Sequence, residues 1–279
     1  MQYKHATFLL CIIFIGTGIL TVAVFQRRAA LEETEEISAS AIRQTQEIEA
    51  ELPVLSGNQY RAASMDVNGD GMADAITLTL EENQQSGTTR TLRVNRTSVE
   101  MVSGNPQMYF GIVDIDTADG VKEIALSDEG PSGDPTTELY RFDGTALIKI
   151  GSMQGLYEFM TFNGAGTVTT ETRASILDTW AFEDQFTLDS SGMLVHVDKD
   201  FYTRLGDMND ITVLQDVGFD TSPTSPVPAF SAVAGDVIQI VGCDNIAWCK
   251  VANSAGVEGW FQVDALSWST LMTGWSLAD

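Results

Sequence analysis

The chain has 279 residues, 44% of them hydrophobic, enough apolar material for one or two ordinary cores, which excludes a disordered protein. Its 39 acidic residues against 15 basic ones give a formal net charge of -24, which repels nucleic acid phosphates and attracts cations or basic partners; nucleic-acid binding is excluded. With 3 cysteines and 2 histidines, the chain lacks the parts for a disulfide framework, a four-ligand zinc site, or Ser/His/Asp and Cys/His catalysis.

In chain order, the first element is Phe8 to Phe25, 18 uncharged residues, about the minimum for crossing a hydrocarbon core of roughly 30 Å as a helix. The run ends in Gln26-Arg27-Arg28 with only a weak cleavage site at Ala29-Ala30, which favours an uncleaved signal anchor over a signal peptide. Cys11 follows Leu10 and reads as apolar filler. Lys4 faces Arg27 and Arg28 across the run, so charge alone does not orient it. Ala29 to Glu51 is rich in Ala, Glu and Gln without Gly or Pro, which predicts a helical stalk ended by Pro53. The expected boundaries are therefore an anchor over 1–28 and a stalk over 29–55, with a membrane as partner through the N-terminal helix.

From Tyr60 onward, short β-prone runs alternate with Gly, Asn and Asp clusters, the mark of an all-β region, here bounded at 56–200. The runs are Ala75-Leu80, Thr89-Val94, Phe110-Val113, Val121-Ser127, Glu138-Phe142 and Ala146-Ile150. Two stretches overlay, one starting at Ala63 and one at Gly111, 48 residues apart; each has an apolar strand, an acidic loop and a second apolar strand. That period suits one four-stranded propeller blade per repeat. A third unit is expected around Phe162 to Gly166, with strands near Thr167-Arg173, Thr179-Leu188 and Met193-Val197, but no carboxylate remains in its short Asn-Gly loop. Three units are few for a closed propeller, so a partial propeller or another stacked meander fits equally.

The sharpest signal is Asp66-Val67-Asn68-Gly69-Asp70-Gly71-Met72-Ala73-Asp74. Calcium takes 6 to 8 oxygens, and loops of this kind place oxygen side chains at positions 1, 3 and 5 with glycine at 6. Asp66, Asn68, Asp70 and Gly71 stand there; the Met72 carbonyl falls at position 7 and Asp74 at position 9. Thr77 replaces the glutamate an EF-hand needs at position 12, and a strand-like run follows, so this is a calcium loop between strands. The competing reading is an Asp/Asn/Gly turn that needs no metal. Asp114, Asp116, Asp119 and Glu123 form a second acidic loop with one extra residue, which breaks the ligand alternation. The D-x-N-G-D-G-x-x-D pattern before an apolar strand resembles the FG-GAP or VCBS-type repeat of integrin-like β-propellers. The resemblance implies a structural calcium in a blade-edge loop and an extracellular position.

The last third opens with strand-like Ile211-Gln215 and a Pro-rich stretch from Thr221 to Pro228, expected as a long loop. Strands are expected at Gly235-Val241, Ala247-Val251 and Gly259-Val263, with turns at Asp244-Asn245 and Ala255-Gly256. Cys243 and Cys249 lie in that hairpin, where register decides whether they can pair. The order G-D, strand, D-x-x-x-W and closing G-W-F resembles the bacterial SH3-like modules of envelope proteins, bounded here at 201–268 with a tail over 269–279. In that family exposed aromatics bind cell-wall peptides, so Trp248 and Trp260 are a candidate ligand face; the alternative is that both fill a small barrel's core.

The expected fold is thus an all-β outer region, partial-propeller-like repeats plus an SH3-like barrel, behind one N-terminal transmembrane helix and a helical stalk. The expected protein is a non-catalytic, calcium-binding module of the cell envelope, a single-pass surface protein of the Gram-positive type with its C-terminal region outside the cell. Cell-wall peptide or glycan, or another envelope protein, would be its partner. The alternative is a cell-wall-targeted carboxylate hydrolase or inhibitor, with Glu158, Asp178, Glu183 or Asp184 as its acids and no spacing that selects a pair.

Overall fold

The structure is a computed structural model, which describes residues 58–83, 87–130, 134–174, 176, 180–206, 210–263 and 272–273. These fold into three consecutive four-stranded antiparallel meanders and one eight-stranded sheet. The first meander holds β1 (Ala62–Met65), β2 (Asp74–Asn83), β3 (Gly87–Val94) and β4 (Thr97–Ser103) in chain order. The second holds β5 (Gly111–Val113), β6 (Glu123–Asp128), β7 (Thr136–Phe142) and β8 (Leu147–Gln154), and the third holds β9 (Thr161–Phe162), β10 (Thr167–Arg173), β11 (Ala181–Leu188) and β12 (Leu194–His196). They begin at 62, 111 and 161, intervals of 49 and 50 residues.

The sheets pack in series, and the burial of each strand reports its place in the row. In β2 the side chains alternate: Ile76 and Leu78 are buried against the second sheet while Thr77 and Thr79 turn away. One covered face produces that two-residue period. In β6, Glu123 through Ser127 are all buried. Ile124 and Leu126 join Ile76, Leu92 and Phe110 in the core shared with the first sheet, and Ala125 joins Ile150 and Val168 in the core shared with the third. The middle sheet is covered on both faces, so β6 is buried without alternation. Leu139 and Tyr140, neighbours on β7, enter different cores by ordinary strand alternation, and the register shift opposite them leaves Ile150 of β8 as the extra residue.

The third sheet shares its other core with the C-terminal sheet, where Trp180 and Phe182 meet Tyr202, Phe219, Ile240, Val251 and Phe261. That sheet contains β13 (Tyr202–Thr203), β14 (Asp210–Val213), β15 (Val217–Ser222), β16 (Ser225–Ala232), β17 (Val237–Cys243), β18 (Trp248–Asn253), β19 (Glu258–Gln262) and β20 (Met272–Thr273). Its order is β16-β15-β19-β18-β17-β14-β20, with β13 also on β17. The Pro-rich stretch expected as a long loop is instead a hairpin, β15 to β16, turning at Pro223-Thr224. Pro226 and Pro228 are accommodated because β16 is an edge strand, where a missing N–H breaks no ladder. Met272–Thr273, inside the expected tail, pairs with β14.

One part of the expected architecture is corrected. The described residues are all-β, with a single three-residue 3-10 turn at Tyr157–Phe159, and no helix among them is long and apolar enough to cross a membrane. The transmembrane helix over 1–28 and the stalk over 29–55 fall outside the described residues. The single-pass, signal-anchored surface placement rested on that helix and is not retained. Its basis was local: 18 uncharged residues only reach the minimum length of a span, and Ala, Glu and Gln composition is a weak prior that does not itself build a helix.

Candidate functional site

The acidic loops follow one another along the row of sheets, each between the first and second strand of its meander. In the first, the chain leaves β1 at Met65 and turns through Gly69 at φ 77° and Gly71 at φ 83°, left-handed conformations that glycine adopts without a Cβ penalty. The oxygens then fold inward onto backbone N–H groups. Asp66 accepts from Gly69 at 2.8 Å and from Gly71 at 2.8 Å, Asn68 accepts from Asp70 at 3.0 Å, and Asp70 accepts from Met72 at 2.8 Å. Burial works against ionising Asp66, but the N–H groups, those of Gly71 and Gly69 foremost, outweigh it and hold the carboxyl below its ordinary value.

Asp74 has a different part. It is 4% exposed, and its oxygens take the Val67 N–H at 3.1 Å and the Asn95 side-chain amide at 2.7 Å. It therefore closes the loop onto its own strand pair. The Met72 side chain is exposed, leaving that residue its carbonyl as the group of interest. As the side chains stand, no three His, Cys, Asp or Glu residues among those described are gathered to hold a metal. The donors are nonetheless all hard oxygens, carboxylates from Asp66, Asp70 and Asp74 with the Asn68 amide, the set calcium prefers. Among the described residues no cation pairs with any of these carboxylates.

The second loop is charged differently. Glu123, at the start of β6, has a fully buried side chain; its oxygens take the Ile115 N–H at 3.1 Å and the Arg141 guanidinium at 2.7 Å. Burial pushes its pKa up, and the Arg141 bond pulls against that. Arg141 also lies 3.4 Å from Asp119, and Lys122 Nζ is 3.1 Å from Asp114. Asp116 accepts the Ala118 N–H at 3.1 Å. Of the four acids expected as a second metal set, Asp119 and Glu123 thus meet at Arg141 and Asp114 pairs with Lys122, while Asp116 bonds only within its own turn. The chain gave no spacing signal for this, because Arg141 arrives from β7.

A repeating latch connects the loops. Val67 gives its N–H to Asp74 and its carbonyl receives the N–H of Lys122 at 3.0 Å; Ile115 gives its N–H to Glu123 and its carbonyl receives the N–H of Gly166 at 2.8 Å. Both apolar side chains are 0% exposed. Each loop is therefore anchored in the core between two sheets and bonded to the next loop.

The remaining candidates are spread out. Trp248 and Trp260 are half-buried on the outer face of β18 and β19, and the interior is filled instead by Cys249, Val251 and Phe261. Trp260 meets Phe201 edge-on at 5.4 Å, and Lys250 Nζ is 5.5 Å from both ring centres and 2.9 Å from Glu258. Cys243 and Cys249 stand opposite each other in the β17–β18 register and form a disulfide. A cluster the sequence reading passed over is His196 between two carboxylates, its Nε2 at 2.6 Å from buried Asp184 and its Nδ1 at 2.8 Å from Asp198. Thr172 donates to Asp184 at 3.3 Å. Glu183 faces Glu171 across the β10–β11 pair and does not meet Glu158, while Asp178 lies outside the described residues. Comparison with models of known protein families, with curated proteins and with solved structures finds no match to this chain.

Proposed function

We propose that this protein is a non-catalytic binding or scaffolding module in which the Asp66–Asp74 loop takes one calcium ion. The observation that carries the reading is a charge left open at a structurally critical place. Asp66 and Asp70 are held in position by backbone N–H groups but have no cationic partner among the described residues, and the residue between Asp66 and Asn68 is Val67, buried in the core between two sheets. A divalent cation there would neutralise the carboxylates and tighten the loop on which the first sheet's contact with the second depends. Asp66, Asn68, Asp70 and the Met72 carbonyl would hold the ion, with Asp74 fixing the loop behind them.

Calorimetric titration of the full chain with calcium, beside Asp70→Ala and with thermal melts at both end points, tests this. Expected is saturable binding by the native chain with a rise in Tm, both lost in Asp70→Ala. Heat and Tm unchanged at millimolar calcium would reduce Asp66–Asp74 to an ordinary turn.

A further inference from the structure

The two acidic loops occupy the same place in consecutive sheets and share the latch through Val67 and Ile115, yet their charges are balanced by different means. In the first, the residue before the closing acid is Ala73, and Asp74 is met by the neutral amide of Asn95 at 2.7 Å. In the second, the residue before the closing acid is Lys122, and Glu123 is met by the guanidinium of Arg141 at 2.7 Å. Each substitution puts a positive charge where the first loop has none.

We infer that Lys122 and Arg141 are built-in counter-ions of the second loop, tethered cations that take there the role a divalent cation takes in the first, so that the repeat region holds one calcium ion rather than two. This assignment takes the first loop as the cation-binding member of the pair. The geometry accounts for the division. Asp66 and Asp74 are eight positions apart, Asp114 and Glu123 nine, so the extra residue moves Asp119 out of the 1, 3, 5 alternation and toward Arg141, 3.4 Å away. The Glu123 side chain is 0% exposed, and a carboxylate so placed needs a permanent partner. Arg141 supplies one that cannot diffuse away, and its Nη2 reaches Glu123 and Asp119 together. Lys122 joins the two loops: its N–H holds the Val67 carbonyl of the first while its ammonium pairs with Asp114 of the second.

A double-mutant cycle between Glu123→Gln and Arg141→Gln, on the full chain in EDTA, tests the counter-ion role without any calcium. Arg141→Gln is expected to lower Tm by on the order of 10 °C, and the double variant to recover most of that loss. Additive losses, or a double variant that folds no better than Arg141→Gln, would overturn the assignment. Should Arg141→Gln fail to fold, a folded double variant gives the same support. The second arm adds calcium. Asp70→Ala is expected to be calcium-blind, the second loop taking no ion in place of the first. A saturable calcium response that survives Asp70→Ala, or a native chain binding two ions, would also overturn it. A native chain that binds no calcium sinks the first-loop reading, and the cycle in EDTA still reports on Arg141.

Discussion

The carbonyl of Val67 accepts the backbone N–H of Lys122 at 3.0 Å, across the boundary between the first and second sheets. Val67 sits between two oxygen-bearing residues of the acidic loop, and its own side chain is 0% exposed in the inter-sheet core. Whatever orders that loop therefore also orders the seam. The same bond recurs between Ile115 and Gly166 one sheet later, so the seam is a property of the repeat.

Asp70 and Asp74 should separate ligand from scaffold. Asp74→Ala removes the acceptor of the buried Val67 N–H and of the partly exposed Asn95 amide, and should cost about 2 kcal/mol in urea unfolding with EDTA present. Asp70→Ala, at an exposed position, should cost less than about 1 kcal/mol under the same conditions and show its effect only when calcium is added. Equal losses without calcium would contradict the division of labour.

Gly111 begins β5 directly under the ring of Tyr157, and a Cβ there would run into that ring. Tyr157 cannot easily withdraw, since it is buried and its hydroxyl donates to the Asn58 carbonyl at 2.9 Å. Gly111→Ala should destabilise the chain by about 2 kcal/mol and alter the tyrosine near-ultraviolet dichroism. A neutral substitution would mean the ring has room to move.

His196 should make stability depend on pH near neutrality. Burial disfavours its charged form, but the hydrogen bonds to Asp184 and Asp198 outweigh that and raise its pKa above the ordinary 6.5. A raised folded-state value means the stabilisation is complete below about 6.5, the unfolded value, and is lost as pH climbs through the folded value. Melts at pH 5.5 and 8.5 should show a lower Tm at the higher pH, and His196→Gln should flatten that difference. An equal slope in the variant would assign the pH dependence to other groups.

The disulfide between Cys243 and Cys249 closes a short loop inside the β17–β18 hairpin, with both residues 0% exposed. Such a bond forms in an oxidising compartment. Reducing it should remove about 2 kcal/mol, read as a drop in Tm with reductant. An unchanged Tm would show that strand pairing alone holds the hairpin.

Several elements could be read from residues alone because their causes are local. Alternation in Ala75-Leu80 and the run Glu138-Phe142 coincide with β2 and β7, and Gly69 and Gly71 mark the turns whose φ values need them. β4 gave no comparable signal: in Thr97-Ser103 the exposed positions include Val102, 66% exposed, and the pattern is weak on an edge. The Pro-rich hairpin was misread because Pro226 and Pro228 are compatible with a linker and with an edge strand, and only the neighbours in the sheet distinguish them.

The amino-acid sequence by itself determined most of the strand-forming segments, the repeat spacing and the oxygen-rich composition of the loop at Asp66–Asp74, since propensity, period and turn chemistry act over a few residues. Only the tertiary structure decided that Arg141, from the third strand of its sheet, reaches Glu123 and Asp119, that His196 stands between Asp184 and Asp198, and that Cys243 meets Cys249. Those contacts depend on register and packing, and a one-residue slip of a strand would send each side chain to the opposite face.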